Sequence, residues 1–445
     1  MLRPASRLVL ALALLARGAR ATAAAAEPPG NAVDPAVVAG VVRPAEEPSD
    51  VGRDAASRVL WLPRTVVELL FFTSGMAAGL FEDEQVVPRA KEVFFTHGGA
   101  FGVFPTLFVE TGTTPNAGAR MVAHSGATAT SLRGGYGGED ENVVESRLRF
   151  GTLLPVPGVL SLEALHDRRT GIGYLGLGQT PETDARNHFV GDLRAGVLRE
   201  RRERAIVGLG LRPESDVELL VSGSYTQRFV DDPHDAGADG VTQVFAGDSL
   251  PGVLRTTRTV YGEFAARYDS RATRAAIASG ELLEVYVGEG AGVDDGDARF
   301  VRSGARAAAF FPVMRRTNVI SPKLVLDTLA HAGGGATPFR ELPGQPTFRG
   351  MASRRDAVSA VGSLDYRWQL MRFVAARLFV DAATVAPRLD ELSLDRLRWA
   401  AGFGIDLHTS GSELGRVALA ASPDGFSFLL SLGVPAGFGD RQHRD

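Results

Sequence analysis

From residue 98 onward, apolar and polar residues alternate with a period of two, in runs of about 9–14 residues separated by turn residues. A period of two sends successive side chains to opposite faces of a strand, so each run is an extended segment with one apolar and one polar face. In VELLVSGSYTQRF (217–229), Val217, Leu219, Val221, Gly223, Tyr225 and Phe229 share one face. Glu218, Ser222, Ser224, Thr226 and Arg228 share the other, with Leu220 out of pattern. In LRWAAGFGIDLH (397–408), Leu397, Trp399, Ala401, Phe403, Ile405 and Leu407 oppose Arg398, Gly402, Gly404, Asp406 and His408. FSFLLSLGV (426–434) sets Phe426, Phe428, Leu430, Leu432 and Val434 on one side.

Two architectures use such strands. A soluble sandwich buries the apolar faces together and builds on strands of about 5–6 residues. A membrane barrel turns them to lipid and needs about 9–11 residues per crossing. The run lengths favour the barrel, and closure removes edges whose unpaired backbone groups hydrocarbon does not tolerate. With 44% apolar and 22% charged residues, the chain is too polar for a helical membrane protein but suits a barrel, where only every second residue meets lipid. The fold class is therefore all-β, a transmembrane antiparallel barrel of about sixteen strands with a short helical segment before it. The expected strands are 98–111, 116–131, 142–151, 157–168, 187–199, 203–212, 216–229, 257–268, 280–290, 297–311, 317–328, 357–368, 372–383, 397–408, 413–421 and 425–435. Long connections fall at 169–186, 230–256 and 329–356 and alternate with short turns such as RPES (212–215), with both termini expected on the periplasmic side.

The start of the chain has a different texture. Arg3 and Arg7, the apolar run LVLALALLA (8–16) and the small residues ATAAAA (21–26) form a secretory signal peptide, assigned to residues 1–26. Residues 27–57 are rich in Pro, Ala, Glu and Asp and read as a flexible linker. Residues 58–97 have helical character broken at Pro63, Gly75, Gly79 and Pro88, which suits an amphipathic segment at a membrane surface or barrel rim. The barrel is assigned to 98–438 and a polar tail to 439–445.

Several chemistries lack their residues. There is no cysteine, hence no disulfide, thiolate metal site or cysteine nucleophile. The eight histidines are scattered, with no HExxH, and neither GxSxG nor GxxxxGK[ST] occurs. No basic block suggests nucleic acid, and the net charge is −4. The expectation is a non-enzymatic protein without cofactor or metal. Basic residues are nearly all arginine; only Lys91 and Lys323 are lysine.

Three stretches of the barrel resemble the bacterial surface-antigen superfamily, the outer-membrane assembly and translocation barrels of BamA and TamA type. In PTFRGMASRRDAVSAVGSLDYRWQL (346–370), Phe348, Arg349, Gly350 and Met351 look like the family's arginine-glycine motif, on a loop between the eleventh and twelfth strands that folds back into the lumen. SLDYRWQL (363–370) and ARLFVDAATV (376–385) look like the two strands that follow, each with an inward acid. Parity agrees: Asp365 shares a face with Ser363 and Arg367, leaving Leu364, Tyr366 and Trp368 for lipid, and Asp381 opposes Leu378 and Val380. The resemblance implies that Arg349 pairs with Asp365 and Asp381, a guanidinium fork matched to carboxylates. RYDSRATRAAIASGELLEVYVG (267–288) resembles the family's Asp-Thr-Arg segment, with Ser270 in place, and GIGYLGLGQTPETDARNHF (171–189) its loop after the fourth strand. No periplasmic POTRA repeat is seen in residues 27–97, so the chain resembles a short branch of the superfamily. Phe428, Leu430, Leu432 and Phe438 are in phase as a terminal-strand signal for the cell's barrel-insertion machinery.

The resemblance implies a Gram-negative outer-membrane location, lipid contact, and transport or assembly of unfolded protein or lipid cargo. The alternative is a structural surface antigen or passive small-solute pore.

Overall fold

The computed structural model describes residues 94, 96, 100–151, 158–212, 216–234, 239–271, 279–294, 298–313, 318–351, 354–371, 373–408 and 413–433. The proposed signal peptide and linker, most of the proposed helical segment, Phe438 and the tail lie outside them. Sixteen strands are present: β1 (Phe101–Glu110), β2 (Asn116–Ser125), β3 (Thr128–Gly138), β4 (Glu141–Phe150), β5 (Gly158–Tyr174), β6 (Gly196–Leu211), β7 (Val217–Asp231) and β8 (Thr256–Asp269), then β9 (Gly280–Gly292), β10 (Arg299–Val313), β11 (Asn318–His331), β12 (Val358–Met371), β13 (Val374–Ala386), β14 (Arg398–His408), β15 (Glu413–Ser422) and β16 (Gly425–Leu432). Each pairs antiparallel with its sequence neighbours and β1 pairs with β16, closing the barrel. A one-turn helix, α1 (Val241–Val244), lies in the β7–β8 connection.

The count of sixteen conceals two compensating errors in the sequence-based strands. The run 116–131 is a hairpin, with Ser125 paired to Thr128 across Gly126 and Ala127. Gly126 sits at φ +55, a left-handed conformation that glycine adopts without strain. The runs expected at 187–199 and 203–212 are one strand, β6. Its charged stretch Arg199–Glu203 interrupts the apolar alternation without interrupting the ladder to β7. As a result, the 171–189 stretch begins in the last residues of the fifth strand and continues beyond it, rather than following the fourth.

Side-chain parity holds. Leu219, Val221 and Tyr225 on β7, and Val285 and Val287 on β9, are exposed on the outer face. Leu364 and Val380, directly paired across β12 and β13, each keep 52% of their surface exposed. The out-of-pattern Leu220 points inward and packs with Ala265 and Tyr286. Tyr366 and Trp368 depart from expectation. They share the outward parity of Leu364 and stack at 5.4 Å, yet Trp368 is only 2% exposed, so neither is a free lipid-facing side chain.

The closing seam differs from the rest of the wall. Among the described residues β1 and β16 pair at four positions, Leu107–Leu432 to Glu110–Leu429. The next shortest ladders, β1 with β2, β14 with β15 and β15 with β16, have eight each and the longest, β5 with β6, has fifteen. The backbone N–H of Thr111 donates to the Phe428 carbonyl (3.0 Å), and that of Phe428 to the Thr111 hydroxyl (2.7 Å). Since N–H groups two residues apart point the same way in a strand, Pro105 lies where a seam donor would be, and proline has none.

An arginine at the centre of β13's outer face is expected to be costly. Val380→Arg should lower stability by about 2–4 kcal/mol, the range for a midplane lipid-facing arginine, as checked by urea unfolding in lipid vesicles.

Candidate functional site

The connection between β11 and β12, residues 332–357, crosses the lumen. At one wall it meets β6, β7 and β10. Arg340 donates to Glu200 of β6. Glu341 accepts from Arg228 of β7 at 2.6 Å, and both its carboxylate and its carbonyl accept from Arg302 of β10. Phe339 enters an apolar cluster with Tyr174, Leu198, Val230, Val241, Val244, Phe245 and Leu250, drawn from β5, β6, β7 and the β7–β8 connection. A second tie joins it to the β5–β6 connection. Arg186 grips Asp356 through Nη1 and Nη2 (2.8 and 2.6 Å), and these bonds, with those to Asp184, raise its pKa above the ordinary arginine value.

At the opposite wall the segment ends on Phe348, Arg349, Gly350 and Met351. Phe348 packs on Val361, Ala383 and Ala400. A Cβ at Gly350 would stand 2.6 Å from the Phe348 ring and 2.9 Å from the Ala400 Cβ, so no larger residue fits there without a shift. The Met351 amide donates to the Ser422 hydroxyl (3.2 Å), and its carbonyl accepts from Arg398 (2.7 Å), which also bonds Asp424 (3.1 Å). The Arg398 guanidinium lies 5.0 Å over the Phe348 ring.

Arg349 lies between two strands. Its backbone N–H and Nε donate to Asp381 Oδ2 (3.0 and 2.9 Å), and its Nη2 to both Asp381 Oδ1 and Asp365 Oδ1, the latter at 2.7 Å. The guanidinium also lies 3.7 Å over the Phe379 ring, close enough for a cation–π contact. Burial lowers its pKa, but the Asp381 bonds and the two carboxylate charges outweigh it, so the net shift is upward.

The three residues brought together by resemblance are thus in contact. The sequence reading missed the surrounding charges. Asp365 Oδ2 also receives Lys323 of β11 and, at 3.3 Å, Arg377 of β13. Arg377 continues to Asp406 of β14 (Nε, 3.0 Å), which in turn receives Arg416 of β15 (2.9 Å). Parity could have flagged Lys323: it lies beside Ser363 in the ladder, on the inward row of Asp365, and is one of two lysines in the chain.

No family model and no curated protein matches this sequence. Solved structures do. BamA from Haemophilus ducreyi, in a form lacking POTRA domains 1–3, matches with a TM-score of 0.53 at 13% identity, over 75% of this chain and 70% of that one. This chain has the fold of a BamA-type barrel. CdiB from Escherichia coli gives a TM-score of 0.47 at 10% identity, over 74% of this chain and 62% of that one. In this BamA-type barrel the 332–357 segment is fixed to β12 and β13 through Arg349.

Arg349→Ala is expected to lower stability by about 3 kcal/mol, the low end for breaking a buried pair, because its side chain retains 20% of its surface. The double variant Arg349→Ala/Asp381→Asn should lose clearly less than the sum of the two single losses, since each group interacts through the other. Chemical denaturation of the four proteins checks both.

Proposed function

We propose that this chain is an outer-membrane barrel of the assembly or translocation type, with the 332–357 segment as a plug latched by Arg349 to Asp365 and Asp381. The observation that carries this reading is the plug's path. It spans the lumen between β6–β7 and β12–β14 and is held by ion pairs at each end. Ion pairs are directional and reversible, so they suit a segment that is seated and released better than a continuous apolar core does. The short seam gives the second element. With four paired positions among the described residues, the shortest ladder of any neighbouring pair, β1 and β16 are the strands whose parting breaks the fewest described ladder bonds.

The implied partners are outer-membrane lipids, the insertion machinery that reads Phe428, Leu430, Leu432 and Phe438 during biogenesis, and an unfolded protein or lipid as cargo. Removal of residues 1–26 as a signal peptide accounts for export. The outward apolar faces supply the lipid contact. A structural or passive barrel is the second reading, favoured by the plug's three separate attachments: Arg340 and Glu341 on Glu200 and Arg228, Asp356 on Arg186, and Arg349 on Asp381.

Planar-bilayer recordings test the plug. Arg349→Ala should raise the open-channel frequency at least tenfold over wild type, and unchanged recordings would remove the latch. The absence of cysteine allows a seam test as well. Val109→Cys with Leu430→Cys, opposite each other across β1 and β16, should form a disulfide and abolish outer-membrane assembly or export activity in cells, with recovery on reduction. Full activity in the crosslinked protein would favour the passive reading.

A further inference from the structure

The seat that Arg349 occupies has the construction of a receptor. Asp381 is fully buried. All of its side-chain hydrogen bonds among the described residues come from Arg349: one from the backbone N–H and two from the guanidinium edge. Asp365 closes the far side with one oxygen, and the Phe379 ring supplies a face at 3.7 Å. Phe348, Val361, Ala383 and Ala400 form the adjoining apolar wall. The paired bonds from one guanidinium edge to Asp381, the third bond to Asp365 and the ring beneath match a planar fork, whereas a tetrahedral ammonium lacks the two parallel N–H bonds that grip Asp381.

The two acids differ in what they keep once Arg349 leaves. Asp365 retains Lys323 and Arg377 on its other oxygen. Asp381 retains no cation among the described residues. The vacated seat therefore presents one uncompensated carboxylate, one shared carboxylate oxygen and one ring face. A buried carboxylate without a partner is costly, which gives the seat a drive to capture a monocation of the same shape.

We propose that the Asp381–Asp365–Phe379 seat is a guanidinium-binding site, filled in the resting barrel by Arg349 and, once the plug is released, by the side chain of an arginine on a passing polypeptide. The proposal rests on the plug reading above and deepens it: the incoming arginine takes over the bonds of Arg349 and delays reseating of the plug. The ligand class is a mono-substituted guanidinium, and lysine side chains are discriminated against. Lys323 balances the charge of Asp365, and Arg377 is shared between Asp365 and Asp406, so Asp381 is the acid left without a cation when Arg349 departs.

The test is calorimetric titration of the full-length barrel in detergent micelles with methylguanidinium, and with methylammonium as the competitor shape. Arg349→Ala should bind methylguanidinium saturably in the millimolar range, at least tenfold more tightly than methylammonium. Arg349→Ala/Asp381→Asn should lose that binding by tenfold or more, and wild type, with its seat filled, should show no such saturation. Arg349→Met, which keeps an apolar stem at the position, serves as the second variant if the alanine protein does not fold. Equal binding of the two cations, or equal binding by the single and double variants, would overturn the proposal. The heat of binding does not depend on current or on cargo. A barrel that never conducts but still binds methylguanidinium therefore refutes the plug's role and leaves the seat standing. One that opens in Arg349→Ala but binds neither cation refutes the seat alone.

Discussion

Every backbone N–H and C=O in a bilayer must find its partner within the protein, and this constraint governs the molecule from end to end. The sixteen ladders satisfy it by closing on themselves. Closure frees the outer face to be apolar and the inner face to be polar, and the inner face can then carry a charge network that a soluble core would not hold. From Arg349 on the plug, a chain of Asp365, Arg377, Asp406 and Arg416 runs across β12 to β15 on inward-pointing side chains. Its existence follows from parity: in a ring of strands, inward acids on one strand face inward arginines on the next.

The weakest part of that closure is where the ring is joined. Elsewhere a strand pairs with neighbours connected to it by a short turn or a packed loop, whereas β1 and β16 meet only because the other fourteen strands bring them together. Four ladder positions, with the backbone N–H and the side-chain hydroxyl of Thr111 bonded to Phe428, hold them among the described residues. The plug's anchors fall on the β5–β6 connection and on β6, β7, β10 and β12–β14, with further ties to Ser422 and, from Arg354, to Asp424 at the β15–β16 turn; none of these residues belongs to the four seam pairs.

Much of this was legible in the residues alone. Period-two alternation gives the strands and their faces, and run length selects a barrel over a sandwich. Boundaries were read less well where local chemistry mimics something else. A two-residue turn at Gly126 leaves too short a polar interval to be seen, and Arg199–Glu203 breaks the apolar alternation although the ladder runs through it. The meeting of Arg349 with two acids was reached through resemblance and checked by parity. The role of Lys323, Arg377 and Phe379 was not, because it depends on cross-strand register, which a single strand's pattern does not contain. The burial of Tyr366 and Trp368 was missed for a related reason: parity says which way a side chain points and nothing about what lies over it.

The apolar cluster at one end of the barrel joins Tyr174, Phe189, Phe245, Leu250 and Phe339, which come from three different connections or their flanking strands. Loops that share one core cannot diversify one at a time. A substitution at Phe245 alters the packing of Tyr174 at 5.1 Å and, through it, of Phe339 at 4.9 Å. Natural variation on this surface is thus expected to arise at the loop margins or as matched changes in several loops together. An antibody raised against any one of these loops as a linear peptide would meet a different shape on the intact protein.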